Sequence, residues 1–323
     1  MTRFPILVLL AFTIAMTMPS GAKACVPLTI NSLSSSFMAS IPCLDRRFAR
    51  DPNFAGGHIL SGFDLAFTNG DHKPQMFGVA HRSGAIINLF TERGLGLALD
   101  DTPVFDTTAV VLADPDAGDP LTATLLYEPT NQTLPLVEVV GRNCHGTCRI
   151  GMPPDREARD GHFVIRGFLF LRDREFDDNL LEVAILPQCP PSEPCFIEAT
   201  FKDNDERETF DVLIQYSVLP REALIGPSPH EFRSATTDNA VRASRNVATR
   251  FRQTRPNGAT AGIQSFSLRY PNRDHFVGRI AIMPDQVRGA TIVLRDGSSD
   301  ETLTHVGYNV TFIGIDQNWL RSH

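Results

Sequence analysis

The sequence predicts an all-β protein: three tandem antiparallel β-sandwich-like modules with one helical, Pro-rich linker. Three observations carry this. The apolar pattern alternates with period two almost everywhere, Gly and Pro punctuate it (23 of each), and two phrases return three times in the same order. Runs such as LTATLLYEP (121–129), FDVLIQYSVL (210–219) and GATIVLRDG (289–297) place apolar residues on one face of a strand and stop at turn residues.

The first phrase reads ILSGFDLAFTNGDHKPQMFGVAH from Ile59, VIRGFLFLRDREFDDNLLEVAIL from Val164 and GIQSFSLRYPNRDHFVGRIAIM from Gly262. Its anchors are Phe63, Phe168 and Phe266, roughly a hundred residues apart, an ordinary size for a small β-domain. In each copy a strand meets an Asp-bearing turn and a second strand follows. The second phrase reads ADPDAGDPLTATLLYE from Ala113, KDNDERETFDVLIQYS from Lys202 and RDGSSDETLTHVGYNV from Arg295. Acidic or polar residues fall at matching offsets: Asp114, Asp116, Asp119; Asp203, Asp205, Glu208; Asp296, Ser298, Glu301. A strand with Tyr127, Tyr216 or Tyr308 near its end comes next. Two ordered phrases recurring three times are hard to obtain by chance.

A strand with one apolar face needs a second sheet against it, hence a sandwich for each segment. The boundaries read as 25–133, 134–224 and 254–323. Between the last two, 225–253 reads as a linker with a Pro-rich start. Its stretch 236–253 offers a Thr/Asp helix start and Pro256-Asn257-Gly258 as a stop.

Residues 1–24 read as a secretory signal peptide: Arg3, an apolar core from Ile6 to Met18, and Ala22-Lys23-Ala24 as a small-x-small cleavage site. Cys25 would then come first. Ala22 and Lys23 do not supply the lipobox that a lipid anchor requires, so the expectation is a secreted or periplasmic chain without one. No later apolar run reaches the roughly 18 residues a spanning helix needs. Losing Arg3 and Lys23 takes the formal net charge from −7 to about −9, which argues against general nucleic-acid binding, where a basic face must release counterions.

Six cysteines in a secreted chain predict disulfides. Spacing favours Cys25 with Cys43, Cys144 with Cys148 and Cys189 with Cys195. A zinc site using His145 has the wrong spacing.

The Asp-His pairs have two readings. An Asp orienting a His is the core of many acid–base sites. Alternatively Asn69-Gly70-Asp71 forms a tight hairpin turn, because Asn and Gly accept positive φ and Asp bonds nearby amides. Turn chemistry is the preferred reading, and Asn69, Asp71, His72, Asn272, Asp274 and His275 become ligand-binding candidates at strand ends. Three oxygen donors at offsets zero, two and five can converge on a hard cation. Asp114, Asp116, Asp119, Asp203, Asp205 and Glu208 are therefore metal candidates, with Ca²⁺ the expected ion and no other cofactor.

DPDAGD (114–119) resembles the loops of calcium-loaded cadherin-like modules in bacterial surface proteins; the resemblance covers six residues and implies calcium there. HGTCRIG (145–151) is similar to the histidine signature of the glucose-methanol-choline flavin oxidoreductases. That family also needs a glycine fingerprint after its first strand, and Gly94 and Gly96 lack the third glycine. A disulfide-clipped turn explains the stretch.

The chain has no Gly-x-Ser-x-Gly elbow, no His-Glu-x-x-His and no phosphate-cradling loop. The expected function is a secreted or periplasmic, non-enzymatic binding, adhesion or envelope-structural protein, with a carbohydrate or another surface component as partner. The alternative is a secreted hydrolase with a carboxylate active site in one module.

Overall fold

The computed structural model describes residues 28–32, 36–40, 58–67, 74–81, 107–113, 121–130, 134–172, 180–203, 209–225, 231–236, 247–249, 259–269, 277–285, 289–296 and 307–322, with positions 85, 88, 89 and 132 besides. The chain is all-β. The first six strands are β1 (Leu28–Ser32), β2 (Ser36–Ser40), β3 (His58–Phe67), β4 (Met76–His81), β5 (Thr107–Ala113) and β6 (Leu121–Pro129). The next six are β7 (Val137–His145), β8 (Thr147–Gly151), β9 (Phe163–Arg172), β10 (Glu182–Gln188), β11 (Phe196–Lys202) and β12 (Thr209–Val218). The last six are β13 (Glu231–Thr236), β14 (Val247–Thr249), β15 (Ala259–Arg269), β16 (Val277–Asp285), β17 (Gly289–Asp296) and β18 (Gly307–Asp316).

Pairing follows one rule with a period of six strands. The sixth strand of each set lies between the first and the third: β6 between β1 and β3, β12 between β7 and β9, β18 between β13 and β15. The fifth lies between the second and the fourth, as β5, β11 and β17 show. The fourth then leaves its own segment, so that β4 pairs with β9, β10 with β15 and β16 with β3. All these ladders are antiparallel. They make three six-stranded arrays, β1-β6-β3-β16-β17-β14, β7-β12-β9-β4-β5-β2 and β13-β18-β15-β10-β11-β8. The last two are joined by the single pair His145–Thr147.

Register is kept as strictly as order. Phe63 faces Leu125 and Ile282, Phe168 faces Ile214 and Val79, and Phe266 faces Val310 and Ile185. Each anchor therefore sits between two aliphatic residues from flanking strands. The three rings also meet one another, with centroids 5.4, 6.1 and 5.2 Å apart for Phe63–Phe168, Phe63–Phe266 and Phe168–Phe266. All three are fully buried. β3, β9 and β15 consequently line a common centre, and their neighbours fan outward into the arrays.

The same bulge interrupts each central strand. The residue skipped in the ladder is Ser61 in β3, Arg166 in β9 and Gln264 in β15, two positions before each anchor. A bulge inserts one residue and re-aims its side chain. Here it turns three polar side chains inward, all buried. Four positions before each anchor the counterparts stay close: a Cβ on Gly262 would lie 2.6 Å from Val164 Cγ2 and 3.3 Å from Ile59 Cγ2. Glycine there leaves room for two larger partners.

The ladders cross the expected boundaries. Each array joins strands from two parts of the chain, where self-contained sandwiches would keep each ladder within 25–133, 134–224 or 254–323. Two local expectations are corrected. Asn69-Gly70-Asp71 does not join a hairpin, because β3 and β4 lie in different arrays and the connection passes from one to the other. Within 225–253, β13 and β14 are strands paired with β18 and β17. Val247–Thr249 offers β-branched residues to an edge, and that pairing outweighs a modest helix signal over the same residues.

Helix is sparse among the described residues. In α1 (Arg156–Arg159), Asp155 caps by accepting from the Ala158 amide at 3.0 Å. In α2 (Gln317–Arg321), Asp316 accepts from the Asn318 amide at 2.8 Å. Disulfides close Cys144–Cys148 and Cys189–Cys195 as expected; Cys25, Cys43 and the signal peptide 1–24 lie outside the described residues.

Because all arrays meet at the anchor rings, Phe168→Ala should cost about 3–5 kcal/mol, the range for emptying an aromatic site in a close-packed core. Urea unfolding measures this. Since every array draws on two segments, both wild type and variant should unfold in one transition by fluorescence and circular dichroism alike; separate transitions for the segments would contradict the shared ladders.

Candidate functional site

Strand direction decides where the recurring motifs emerge. Within an antiparallel array directions alternate, so β3 and β17 run the same way, as do β9 and β5, and β15 and β11. Contacts between arrays align their ends. At one end, Arg172 closing β9 pairs with Asp203 just beyond β11, Nη1 to Oδ2 3.2 Å. At the other, the ring of His81 closing β4 lies 6.1 Å from that of Tyr127 near the end of β6. There too, Thr130 Oγ1 donates to the Leu320 carbonyl beyond β18 at 3.2 Å. The strands preceding the Asn-x-Asp-His phrases and those preceding the acidic phrases therefore all finish at the same end, called here the motif end.

Described residues at the motif end are rich in charge. Arg172 and Asp203 form a buried pair, with side chains 1% and 3% exposed. The Arg172 guanidinium also covers the Phe201 ring at 4.3 Å and donates to the Phe201 carbonyl at 2.9 Å. Asp203 thus spends its carboxylate on a guanidinium. Arg279 grips Asp64 with Nε and Nη2 across β16 and β3, a bidentate bond that raises the Arg279 pKa. Glu182 takes Arg269 at 3.3 Å and Ser267 at 3.1 Å across β10 and β15.

The β7–β8 turn projects at this end. Asn143 has φ of 49° and Gly146 of 58°, the left-handed region. Asp211 holds the approach to it, accepting from the Asn143 amide at 2.9 Å and from Arg142 Nη1 at 3.2 Å. With the Cys144–Cys148 bridge across its base, the turn presents Asn143, His145 and Thr147 to solvent.

The candidate residues Asn69, Asp71, His72, Asn272, Asp274 and His275 lie outside the described residues, as do Asp114, Asp116, Asp119, Asp205 and Glu208. What is described is the strands that carry them. Among the described residues no group of three His, Cys, Asp or Glu gathers as a metal site.

The opposite end holds a cluster that sequence reasoning missed. Arg166, His81, Gln215 and Ser217 are all at most 1% exposed. The β4–β9 ladder ends at Val79–Phe168, and beyond it the Gln215 side chain bonds the His81 backbone. Its Oε1 accepts from the His81 amide at 2.6 Å, and its Nε2 donates to the His81 carbonyl at 2.9 Å. The amide passes directly over Gly167, where a Cβ would lie 2.5 Å from Gln215 Oε1. Glycine is required there by that crossing. Arg166 Nη1 donates to Ser217 Oγ at 2.8 Å, and Ser217 in turn to the Pro135 carbonyl at 2.8 Å. The signal in the sequence is the glycine of Ile165-Arg166-Gly167-Phe168, since glycine inside a strand marks a bulge or close approach.

Electrostatics make this cluster structural. Burial, helped by the Arg166 charge, pushes the His81 pKa down to about 3. Burial also lowers Arg166 to about 10, so it keeps its proton at neutral pH. A neutral imidazole sealed from solvent cannot exchange protons with a substrate.

No protein-family description matches the chain, and no curated protein matches its sequence. The structure defines the class: an all-β protein whose disulfides are compatible with an oxidising compartment. Among the described residues no helix is long and apolar enough to cross a membrane.

His81 gives a pH prediction. Its folded pKa lies below its ordinary value of 6.5, so the unfolded chain takes up the proton first as pH falls. The contribution to stability is intact above 6.5 and is lost progressively toward 3. Between pH 7 and roughly 4.5 this one group should cost on the order of 2–3 kcal/mol. Urea melts across that range should show a slope that His81→Gln reduces; an unchanged slope would rule this account out.

Proposed function

We propose that the protein is a non-enzymatic binding protein of the cell surface or envelope, secreted or periplasmic. In this reading it is built from one β unit written three times, with its ligand face at the motif end. One observation carries the proposal: the strands that precede both recurring phrases, in all three segments, end on the same side. Six polar connections then issue from one face, and a multivalent surface gains affinity from several weak, similar contacts. The matching strand order, anchor register and bulge positions support descent from a single unit.

Carbohydrate is the ligand class, recognised by Asn69, Asp71, His72, Asn272, Asp274 and His275, with calcium held by Asp114, Asp116 and Asp119. Loop ends supported by a rigid β framework are where binding residues concentrate. The committed state of Asp203 favours the first acidic phrase over the second as the calcium site. Secretion rests on the signal-like 1–24 and agrees with the disulfides.

The test is a glycan array probed in calcium and in chelator, followed by Asp71→Ala/His72→Ala/Asp274→Ala/His275→Ala. The expected result is glycan binding that the fourfold variant loses while its melting temperature is kept. Binding that survives the substitutions refutes the assignment, and cleavage of a bound glycan supports a hydrolase instead. Calcium at about 100-fold over its Kd should raise stability by about 2.7 kcal/mol in a thermal-shift series. Asp114→Asn/Asp116→Asn should abolish that increment.

A further inference from the structure

At the end opposite the motif face, the connection before β9 and the connection between β10 and β11 flank an open cleft of about 720 Å³. This falls within the usual size of a small-molecule site. Pro153 and Pro154 stand on one side, and Pro191 and Pro194 on the other.

The walls are fixed in advance. The Cys189–Cys195 bridge closes one of them. Arg159 spans the gap, donating to the Pro190 carbonyl at 3.2 Å and the Glu193 carbonyl at 3.1 Å. The Met152 amide donates to the Cys195 carbonyl at 3.0 Å, and Arg149 pairs with Glu193 while lying 3.6 Å above the Phe196 ring. Proline rings and a bridge restrict the chain before any ligand arrives, so little ordering is left to offset binding. The corresponding connections of the other segments, 82–106 and 286–288, contain no cysteine; the clipped wall belongs to the middle segment alone.

The charges lining the cleft are committed with one exception. Asp155 caps α1, Glu193 holds Arg149, and Arg159 is spent on carbonyls. Arg156 is exposed, lines the cleft, and its guanidinium has no partner among the described residues. An apolar, ring-lined cleft with one uncommitted guanidinium suits a ligand having an apolar ring and one anionic group. A neutral sugar would find too few free polar groups here. We propose that this cleft binds a small aromatic carboxylate, its ring between the proline walls and its carboxylate on Arg156.

The site is independent of the motif face, so either can fail alone. The probe is 2-naphthoate, followed by isothermal titration, with 2-naphthalenemethanol as its uncharged counterpart. Wild type should bind the acid saturably, and the alcohol and Arg156→Gln should each weaken binding by about tenfold, the usual effect of losing a charge-assisted hydrogen bond. Arg156→Lys should recover part of the loss, and Arg221→Gln should change nothing. Because Arg156 is exposed and unengaged, its variants should melt with wild type. No saturable binding to wild type, equal binding of the alcohol, or an Arg156→Gln variant indistinguishable from wild type would each overturn the proposal.

Discussion

Three phenylalanine rings in mutual contact organise this molecule. Phe63, Phe168 and Phe266 come from strands about a hundred residues apart and meet at 5.2 to 6.1 Å. Aromatic pairs prefer such tilted and edge-on arrangements to a flat stack. A close-packed centre tolerates no slip, because a shift of one residue would turn each ring to the other face of its array. The aliphatic partners beside each ring, the bulge two positions earlier and the direction of every flanking strand follow from keeping those rings together.

The bulges place polar groups where an apolar core would be simpler; two of the three are answered locally, while the buried Ser61 hydroxyl has no hydrogen-bond partner among the described residues. Arg166 finds Ser217, Gln264 donates to the Gly161 carbonyl, and Gln215 reaches over a glycine to serve the backbone of His81. A buried amide left unmet costs about as much as a lost hydrogen bond, so the Gln215 side chain stands in for a missing stretch of ladder. The result is polar and sealed, with the Arg166 guanidinium charged and the histidine beside it neutral.

Much of the architecture was legible in the chain. Period-two alternation gave the strands, and the recurring anchors Phe63, Phe168 and Phe266 marked the three that reach the centre. Partner choice was not legible. Alternation says which face of a strand is buried, and nothing about whether β4 joins its own segment or the next. Asn69-Gly70-Asp71 therefore reads as a hairpin although its strands part company. β13 and β14 escaped because edge strands are short and their sequence favours helix as much as strand. For the site, recurrence pointed to residues outside the described set, while the cluster around Gly167 left only a glycine in a strand as its trace. Spacing marked the Pro-rich Cys189–Cys195 stretch as a disulfide loop and nothing more, and its neighbour Arg156 carries no motif at all.

The ladder between β16 and β3 sets a schedule for biogenesis. β3 is complete at residue 67, yet its partner begins at residue 277. A nascent chain must hold one side of β3 open while some two hundred further residues are made. Open strand edges invite pairing with other chains, and only arrival of the last segment covers this one.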